Sequence, residues 1–323
     1  MVHSNFNINV QYKFFFIVIL IIILNSFKNR FTKIDILFKQ IKIMSREKTL
    51  NEILYNSKSI ARFGDGEFNI IFGKNIRFQE FNETLRKKLL KVLNSSFPNL
   101  LVGLMNLFYL RNKYWINWIE KNKIKLLKVI NKINKNKTYY SSEITRFYSP
   151  SNKKYIKNYI TRFKSIWNNR DILIIEGEKT RVGIGNDLFN NAKSIKRIIC
   201  PNENAFNVYN KILDYMKNLT LGQNTLILIS LGPTATVLAY DLIEFGHQII
   251  DFGHFDIQYE YYLRNATKKI KIPNKYVNEV PGGTLNIKPI SNKDYYRQII
   301  KKILSIFLSF YNLDFFCRIH YFI

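Results

Sequence analysis

The chain has 323 residues, of which 47% are hydrophobic, and its formal net charge is +27 from 50 Lys and Arg against 23 Asp and Glu. This length and apolar content exclude a disordered tail protein and suffice for one large or two small domains. Lys and Arg are spread along the whole chain, whereas a phosphate-binding face concentrates them, so we predict no nucleic-acid partner.

Residues 1–44 are predicted to form a separate N-terminal segment. Its apolar run 14–24 (FFFIVILIIIL) has eleven residues, which as a helix span roughly 17 Å against a hydrocarbon core of roughly 30 Å. Three interpretations stay open: an interfacial or signal-like membrane anchor, a packed helix, or a segment before a true start at Met44. The apolar tail 306–323 is interpreted as a docked C-terminal helix, with a membrane-surface helix as the alternative.

Residues 45–305 are predicted to form the main domain. A helix leads into a strand that ends at Gly64 and Gly66, and apolar spacing typical of helices recurs at 82–93, 114–134, 205–217 and 235–245. A further helix is predicted to begin near Leu188. Apolar runs that stop at a glycine, a proline or a loop predict strands at 100–104, 171–177, 195–200, 225–231 and 249–253.

Strands that alternate with helices predict an α/β fold with a mainly parallel, Rossmann-like sheet flanked by helices. Ligands of such sheets lie beyond the carboxyl ends of the strands. This places five loops on a common rim, at 64–67, 176–187, 201–204, 232–236 and 253–260. The two cysteines, Cys200 and Cys317, form no CxxC motif and favour a reducing compartment. We therefore predict a cytoplasmic location, which includes the inner face of the cell membrane.

Two acidic residues follow the first strand of the domain. If the loop is extended, Asp65 and Glu67 project to the same side, where two carboxylates could hold a hard divalent cation. Such a cation bridges the phosphates of a nucleotide. A solvated turn is the alternative for a bare DxE sequence. Arg62 precedes the pair and could bind phosphate or Asp65.

Three further loops carry polar residues at strand ends. Asn186 and Asp187 follow Arg181 and are predicted to cap the helix near Leu188, and Gly232 begins a turn that could present N–H groups to phosphate. The segment 253–260 combines one histidine with two carboxylates, and it could supply a general base, a metal ligand or a hydrogen-bond acceptor for a sugar hydroxyl. A plain capped turn and a structural histidine are the corresponding alternatives.

Four stretches of the chain, in their order and spacing, resemble the GT-D fold family of bacterial glycosyltransferases. The resemblance is carried by ARFGDGEFNIIFGKNIRFQ (61–79), EGEKTRVGIGNDLFNNAKSIKRIICPNENAF (176–206), SLGPTATVLAYDL (230–242) and DFGHFDIQYEYYL (251–263), and it covers residues 45–305. It implies a Rossmann-like domain that uses a DxE motif with Mn²⁺ to bind a nucleotide sugar, commonly UDP-glucose. It also implies action on glycans of surface glycoproteins or polysaccharides.

By position, the resemblance implies that Asp65 and Glu67 bind Mn²⁺ or Mg²⁺. It implies that His254, Asp256 and Glu260 face the transferred sugar or the acceptor and serve in catalysis. Donor-binding residues are expected at Arg62, Arg181, Gly185, Asn186, Asp187, Asn202, Asn204, Gly232 and Thr234. Two positions depart from the family pattern: Gln258 replaces a common glutamate, and Phe147 replaces a proline.

These expectations combine into one functional hypothesis. The chain is expected to transfer a hexose from a UDP-sugar to a glycan acceptor in a metal-dependent reaction. Metal-dependent hydrolysis of a nucleotide or phosphoester is the first alternative, and a basic membrane-surface binding protein is the second. The sequence makes no prediction of oligomeric state.

Overall fold

The computed structural model describes residues 17–19, 39–106 and 113–304. The chain divides into two compact units, a smaller one of 1–42 and 106–138 and a larger one of 43–105 and 139–323. In the smaller unit, helix α4 (Lys113–Ile130) buries one stripe of side chains that includes Trp118, Leu126 and Ile130. Among the described residues, no helix combines the length and the apolar character needed to cross a bilayer.

The other helices are α1 (Arg46–Tyr55), α2 (Asp65–Ile71), α3 (Glu83–Leu93), α5 (Lys153–Lys164), α6 (Tyr209–Asn218), α7 (Pro233–Asp241), α8 (Phe255–Leu263) and α9 (Lys293–Gln298). The strands are β1 (Lys42–Ile43), β2 (Ser59–Phe63), β3 (Leu100–Leu104), β4 (Thr138–Ser141), β5 (Asp171–Gly177), β6 (Ser194–Cys200), β7 (Leu226–Ser230), β8 (Gln248–Asp251) and β9 (Ile299–Lys302).

The nine strands form one sheet in the order β1-β4-β3-β2-β8-β7-β5-β6-β9. All neighbours from β4 to β9 in this order pair in parallel, so the carboxyl ends of these strands share one edge. The α/β fold with a parallel sheet, predicted from the sequence, is therefore confirmed. The central strands β5 and β7 are almost continuous runs of Ile and Leu because both of their faces are covered.

The main core lies between one face of the sheet and helices α1, α5 and α8. Aromatic rings fill its centre: the ring centroids of Phe163 and Phe255 lie 4.2 Å apart, and those of Phe252 and Phe255 lie 4.9 Å apart. Phe147, which departs from the family pattern, is also buried here at 4.7 Å from Phe255. Its ring joins the core, so this departure is a packing feature.

Three predictions of local structure are wrong, among them the extended loop at 64–67, where helix α2 begins instead. No helix begins near Leu188, because 181–192 is a series of turns closed by local hydrogen bonds. Residues 255–263 are helix α8 rather than an extended segment, so His254 and Asp256 do not share a side through strand geometry. Helices α2, α5 and α9 and strands β1, β4 and β9 had no predicted counterpart.

Several predictions concern segments outside the described residues. Of the apolar run 14–24, only 17–19 are described, and they are helical. The whole tail 306–323 lies outside the described residues. The boundaries at 44/45 and 305/306 and the membrane interpretations therefore stay predictions.

Candidate functional site

The predicted rim is present at the carboxyl edge of the sheet. Loops follow β2, β5, β6, β7 and β8 at this edge because the strands run parallel. Contacts join the loops directly: Asn204 after β6 donates its N–H to Phe78 O at 2.8 Å, and the Phe78 ring lies against Gly232 after β7. The rim therefore brings residues from distant parts of the sequence into one surface.

Asp65 and Glu67 lie in the first turn of α2 rather than in an extended loop. Positions i and i+2 of a helix point about 200° apart, so the geometric argument from an extended loop is wrong. Glu67 Oε2 accepts the Gly64 N–H at 2.7 Å and thereby caps the helix. Asp65, the first helical residue, is partly exposed. The carboxylates stand at the end of β2, in the middle of the sheet.

Arg62 binds a buried carboxylate, and the hypothesis that it pairs with Asp65 is not what the structure shows. Its Nη2 lies 2.9 Å from Asp251 Oδ1, its Nε donates to Asp251 O at 2.7 Å, and its Nη1 donates to Ser142 O at 3.0 Å. Thr236 Oγ1 donates to Arg62 O at 2.9 Å. These bonds join the ends of β2, β4 and β8. The guanidinium therefore stabilises the strand ends beneath the rim.

Glu67 has an unusual electrostatic setting. Burial, and next the charge of Asp251, raise the pKa of Glu67 to about 7, although Gly64 N–H and Arg62 lower it. A bound cation would favour the ionised form of such a group. In the part of the chain that the structure describes, no group of three His, Cys, Asp or Glu side chains could hold a metal. A cation bound here could take at most Asp65 and Glu67 from these side chains, and diphosphate oxygens and water would have to supply its remaining ligands.

The loop after β5 packs inward. Arg181 is buried, and its Nη1 donates to Asn274 O at 2.7 Å and to Lys288 O at 2.8 Å. Asn186 Nδ2 bridges the Asp256 and Glu260 carboxylates at 2.9 and 2.7 Å. The side chains of Arg181 and Asn186, which were expected to bind the nucleotide-sugar donor, thus form hydrogen bonds that fix the loop in place.

Two turn residues complete this loop. Asp187 Oδ1 accepts the Tyr259 hydroxyl at 2.5 Å, and its backbone oxygen accepts from Lys164 Nζ. Gly185, with φ +82°, makes an exposed left-handed turn. Gly185 stays a predicted donor contact, whereas Asp187 is tied to α5 and α8.

Asp256 and Glu260 belong to a buried ion cluster. Lys275 Nζ lies 2.6 Å from Asp256 Oδ2 and 3.2 Å from Glu260 Oε1, and Arg264 pairs with Glu260 Oε2. Asp256 Oδ1 also accepts the Gly183 N–H at 3.0 Å. Both carboxylates are less than 5% exposed. Because each oxygen already faces a donor, these contacts oppose the predicted role of either residue as a general base.

His254 is locked as a neutral donor. A guanidinium can only donate, so His254 Nδ1, at 3.1 Å from Arg146 Nη2, must accept, and Nε2 must donate to Asn278 Oδ1 at 3.0 Å. Burial, and next the charge of Arg146, lower the pKa of His254 to about 4. Because the Nδ1 lone pair already accepts a hydrogen bond from Arg146, the imidazole cannot take a proton from the hydroxyl of an acceptor substrate in this arrangement.

The loops after β6 and β7 also carry polar groups at the rim. Asn202 Oδ1 accepts the Lys179 N–H at 2.6 Å, and Asn204 Oδ1 accepts the Glu80 N–H at 2.7 Å, so the oxygen of each amide is engaged and its Nδ2 group is the remaining donor. Thr234, near the start of α7, is fully buried and its hydroxyl has no hydrogen-bond partner. Gly232 has φ +55°, and a side chain there would collide with Phe78.

The partners of these groups were not predicted from the sequence. Asp251 was interpreted as a strand residue, and Lys275, Asn278 and Arg146 were not singled out. The signal available for Asp251 was a carboxylate at a strand end, whereas Lys275, between Asn274 and Tyr276, carried no comparable signal. Gln258, the second departure from the family pattern, accepts the Tyr148 N–H through Oε1 at 3.1 Å.

Comparisons with known proteins agree on one family. Residues 60–280 match the family described as Glycosyltransferase GT-D fold. The chain is 34% identical over 270 residues to Glycosyltransferase GlyD of Streptococcus pneumoniae serotype 4, and 36% identical over 247 residues to the probable glycosyl transferase Gly of Streptococcus gordonii. These matches cover 82% and 75% of the chain but 33% and 36% of the relatives, so the chain spans about a third of their length.

Solved structures of similar length show the same architecture. A domain of unknown function 1792, described as having a distinct glycosyltransferase fold, matches with a TM-score of 0.74 and 35% identity, over 83% of this chain and 97% of that one. A structure described as a new glycosyltransferase from Streptococcus sanguinis matches with a TM-score of 0.72 and 32% identity, over 81% and 99%. The chain therefore belongs to the GT-D fold family of glycosyltransferases.

Proposed function

We propose that the chain transfers a hexose, with glucose as the first candidate, from a UDP-sugar to a glycan acceptor, with Mn²⁺ or Mg²⁺ held by Asp65 and Glu67. The observation that carries this proposal is the first turn of α2. Two carboxylates stand there at the centre of the rim, and the pKa of Glu67 is raised by burial and by the nearby negative charge of Asp251. Such a site favours a bound cation.

The start of α7 is the candidate site for the donor diphosphate. This helix begins at the rim, where β7 ends, and a helix N-terminus favours an anion. The buried Thr234 hydroxyl in its first turn has no hydrogen-bond partner, and a phosphate oxygen would supply one. Strand β8, which ends in Asp251, separates β7 from β2, so this turn and the carboxylates of α2 stand two strands apart.

The loop after β6 is the candidate site for the nucleoside. The Nδ2 groups of Asn202 and Asn204 can donate to the carbonyl oxygens of a pyrimidine base or to ribose. Each amide is oriented by a hydrogen bond to a backbone N–H, which fixes it before a ligand arrives. This supports a donor that contains UDP.

In the proposed reaction the oxygen of an acceptor hydroxyl bonds to the anomeric carbon of the sugar, the bond to the diphosphate breaks with its electron pair, and the hydroxyl proton passes to the departing diphosphate. A cation at Asp65 and Glu67 would neutralise charge on the departing diphosphate. The chain itself binds the nucleotide at the loops after β6 and β7 and holds Glu67 through Gly64. Arg62 and Asp251 fix the ends of β2 and β8 beneath these groups.

The acceptor and the cellular location belong to the same proposal. Relatives that are named glycosyltransferases support a glycan acceptor, and the reducing environment inferred from two cysteines supports the cytoplasm. Contact of residues 1–44 with the inner face of the cell membrane is proposed from their apolar run and flanking basic residues.

A donor screen tests the function. Thermal-shift measurements with UDP-, GDP- and dTDP-sugars, each with and without Mn²⁺, should give the largest stabilisation for a UDP-sugar with Mn²⁺. Product analysis with glycan acceptors should then detect a glycoside. Turnover to water alone would favour the hydrolase alternative. Salt-sensitive binding to anionic vesicles without any donor turnover would favour the surface-binding alternative.

A further inference from the structure

A loop segment crosses the rim and is attached at several points. We call residues 272–283 the strap. Lys275 anchors it by its buried ion pairs with Asp256 and Glu260. Beyond it, Asn278 accepts from His254 through its side chain and from Arg77 through its backbone oxygen at 2.6 Å. The residues expected to act in catalysis therefore hold the strap in place.

Glu279 fixes the same end of the strap. It pairs with Arg146 at 2.6 Å and with Lys269 at 3.2 Å. Burial alone would raise the pKa of Glu279, but nearby positive charges lower it: that of His254 when it is protonated, below about pH 4, and those of Arg146 and Lys269 at neutral pH as well. The carboxylate is therefore ionised at neutral pH, and the ion pairs persist there.

Tyr276 reaches the other side of the rim. Its N–H donates to Lys179 O at 2.8 Å, and the Lys179 N–H donates to Asn202 Oδ1 at 2.6 Å. Its hydroxyl donates to Glu203 Oε1 at 3.1 Å. Tyr276 thus contacts the β6 loop by two routes, one through the Lys179 peptide to Asn202 and one directly to Glu203, the residue between Asn202 and Asn204.

The loops that Tyr276 joins are tightly packed against each other. A Cβ on Gly177 would lie 2.9 Å from Asn202 Oδ1 and 3.1 Å from Asn202 Cα, so the ends of β5 and β6 meet without a side chain between them. In this packing, a displacement of Glu203 would carry Asn202 and Asn204 with it. The orientation of both amide groups depends on this short loop.

We propose that Tyr276 is a positioning residue for the nucleotide, which acts through Glu203 and Lys179 on the amide groups of Asn202 and Asn204. This inference rests on the proposed function, because it takes the β6 loop as the nucleoside site. The strap then links the nucleoside side of the rim to the His254 side. A positioning residue of this kind affects donor binding and leaves the chemical step unchanged.

Steady-state kinetics of the full chain with UDP-sugar test the proposal. Tyr276→Phe keeps the ring and removes the hydroxyl, so the donor KM should rise about three- to tenfold, as the loss of one hydrogen bond allows, with kcat unchanged. Glu203→Ala should have the same effect, and the double variant should be no worse than either single one. Glu203→Gln keeps an acceptor oxygen and should restore near wild-type KM.

Tyr296→Phe is the matched control. Its hydroxyl donates to Ile290 O at 3.0 Å away from the strap, so its loss should leave KM unchanged. An unchanged KM in Tyr276→Phe, or additive effects of Tyr276→Phe and Glu203→Ala, would overturn the inference while wild-type turnover leaves the proposed function standing. If the wild-type chain turns over no nucleotide sugar, the proposed function fails, and the inference fails with it.

Discussion

The rim carries two pairs of carboxylates that look alike in sequence and differ in their surroundings. Asp256 and Glu260 face Lys275, Arg264 and the Asn186 amide, so their negative charge is balanced within the protein. Glu67 faces Asp251 instead, and its pKa is raised to about 7. A pair whose charge is already balanced is suited to hold structure, whereas a carboxylate such as Glu67, whose pKa is raised by burial and by a second negative charge, is stabilised in its ionised form by an added cation.

If the proposed function holds, the two pairs differ in role. Asp256 and Glu260 should act on the free energy of unfolding through the strap, and Asp65 and Glu67 should act on donor turnover. Variants that remove charge from one pair at a time separate the two effects.

The largest effect is expected from Glu67→Gln and Asp65→Asn. Each removes one charge from the proposed cation site, and the amide oxygen introduced by Glu67→Gln can still accept the Gly64 N–H. Metal-dependent donor turnover should fall by about 100-fold or more, while the unfolding midpoint stays close to that of the wild type. Asp256→Asn is the matched control and should retain more activity with a lower midpoint. Full activity of both Glu67→Gln and Asp65→Asn would reject the assignment.

The next effect is on stability. Lys275→Met leaves Asp256 and Glu260 buried without their shared cation, so the free energy of unfolding should fall by about 3–5 kcal/mol. Urea denaturation followed by circular dichroism measures it. The double variant Lys275→Met/Asp256→Asn should recover part of the loss because one of the two charges is gone. A single-variant loss below about 1 kcal/mol would show that the cluster is not a stabilising anchor.

A dependence of stability on pH follows from His254, which contacts Asn278 of the strap. Burial lowers its folded-state pKa to about 4, so between pH 4 and its ordinary value near 6.5 the unfolded chain binds the extra proton. Stability should rise with pH across this window, with a contribution of at most about 1.4 kcal/mol per pH unit. His254→Asn should flatten that slope in pH-dependent denaturation. An identical slope in the variant would contradict the locked neutral state.

The smallest effect is expected from Thr234→Val. The buried hydroxyl has no partner without a ligand, so its replacement by a methyl group should leave stability unchanged or raise it by less than about 1 kcal/mol. Binding of UDP should weaken by about three- to tenfold because a phosphate contact is lost. Calorimetric titration with UDP measures the change in affinity, and a thermal melt measures the change in stability. Weaker binding together with a large loss of stability would indicate a structural hydroxyl instead.

Much of the fold could be predicted from the sequence. The strands β5 and β7 are runs of Ile and Leu that stop at Gly177 and just before Gly232, and such runs identify buried parallel strands whatever surrounds them. Once these strands are parallel, the position of the rim follows. Helix α5 could have been found too, because its buried apolar residues repeat at helical spacing, namely Ile156, Tyr159, Ile160 and Phe163.

The roles of the site residues could not be predicted in the same way. Helices α2 and α8 begin after Gly64 and His254, which lack the usual capping side chains, so both starts were taken as extended. The partners that decide each role are distant in sequence: Asp251 lies 189 positions from Arg62, and Lys275 lies 19 positions from Asp256. A sequence motif alone does not show which side chains contact a ligand and which contact another residue. The distant partners of the motif must be known first.

Calorimetric titration of UDP into the full chain, with and without Mn²⁺, tests the central contrast most directly. In the wild type and in Asp256→Asn, Mn²⁺ should tighten UDP binding by at least about tenfold, which corresponds to a coupling of about 1.4 kcal/mol. In Glu67→Gln this coupling should disappear, while UDP binding without metal stays the same. Coupling that survives in Glu67→Gln and is lost in Asp256→Asn would contradict the account.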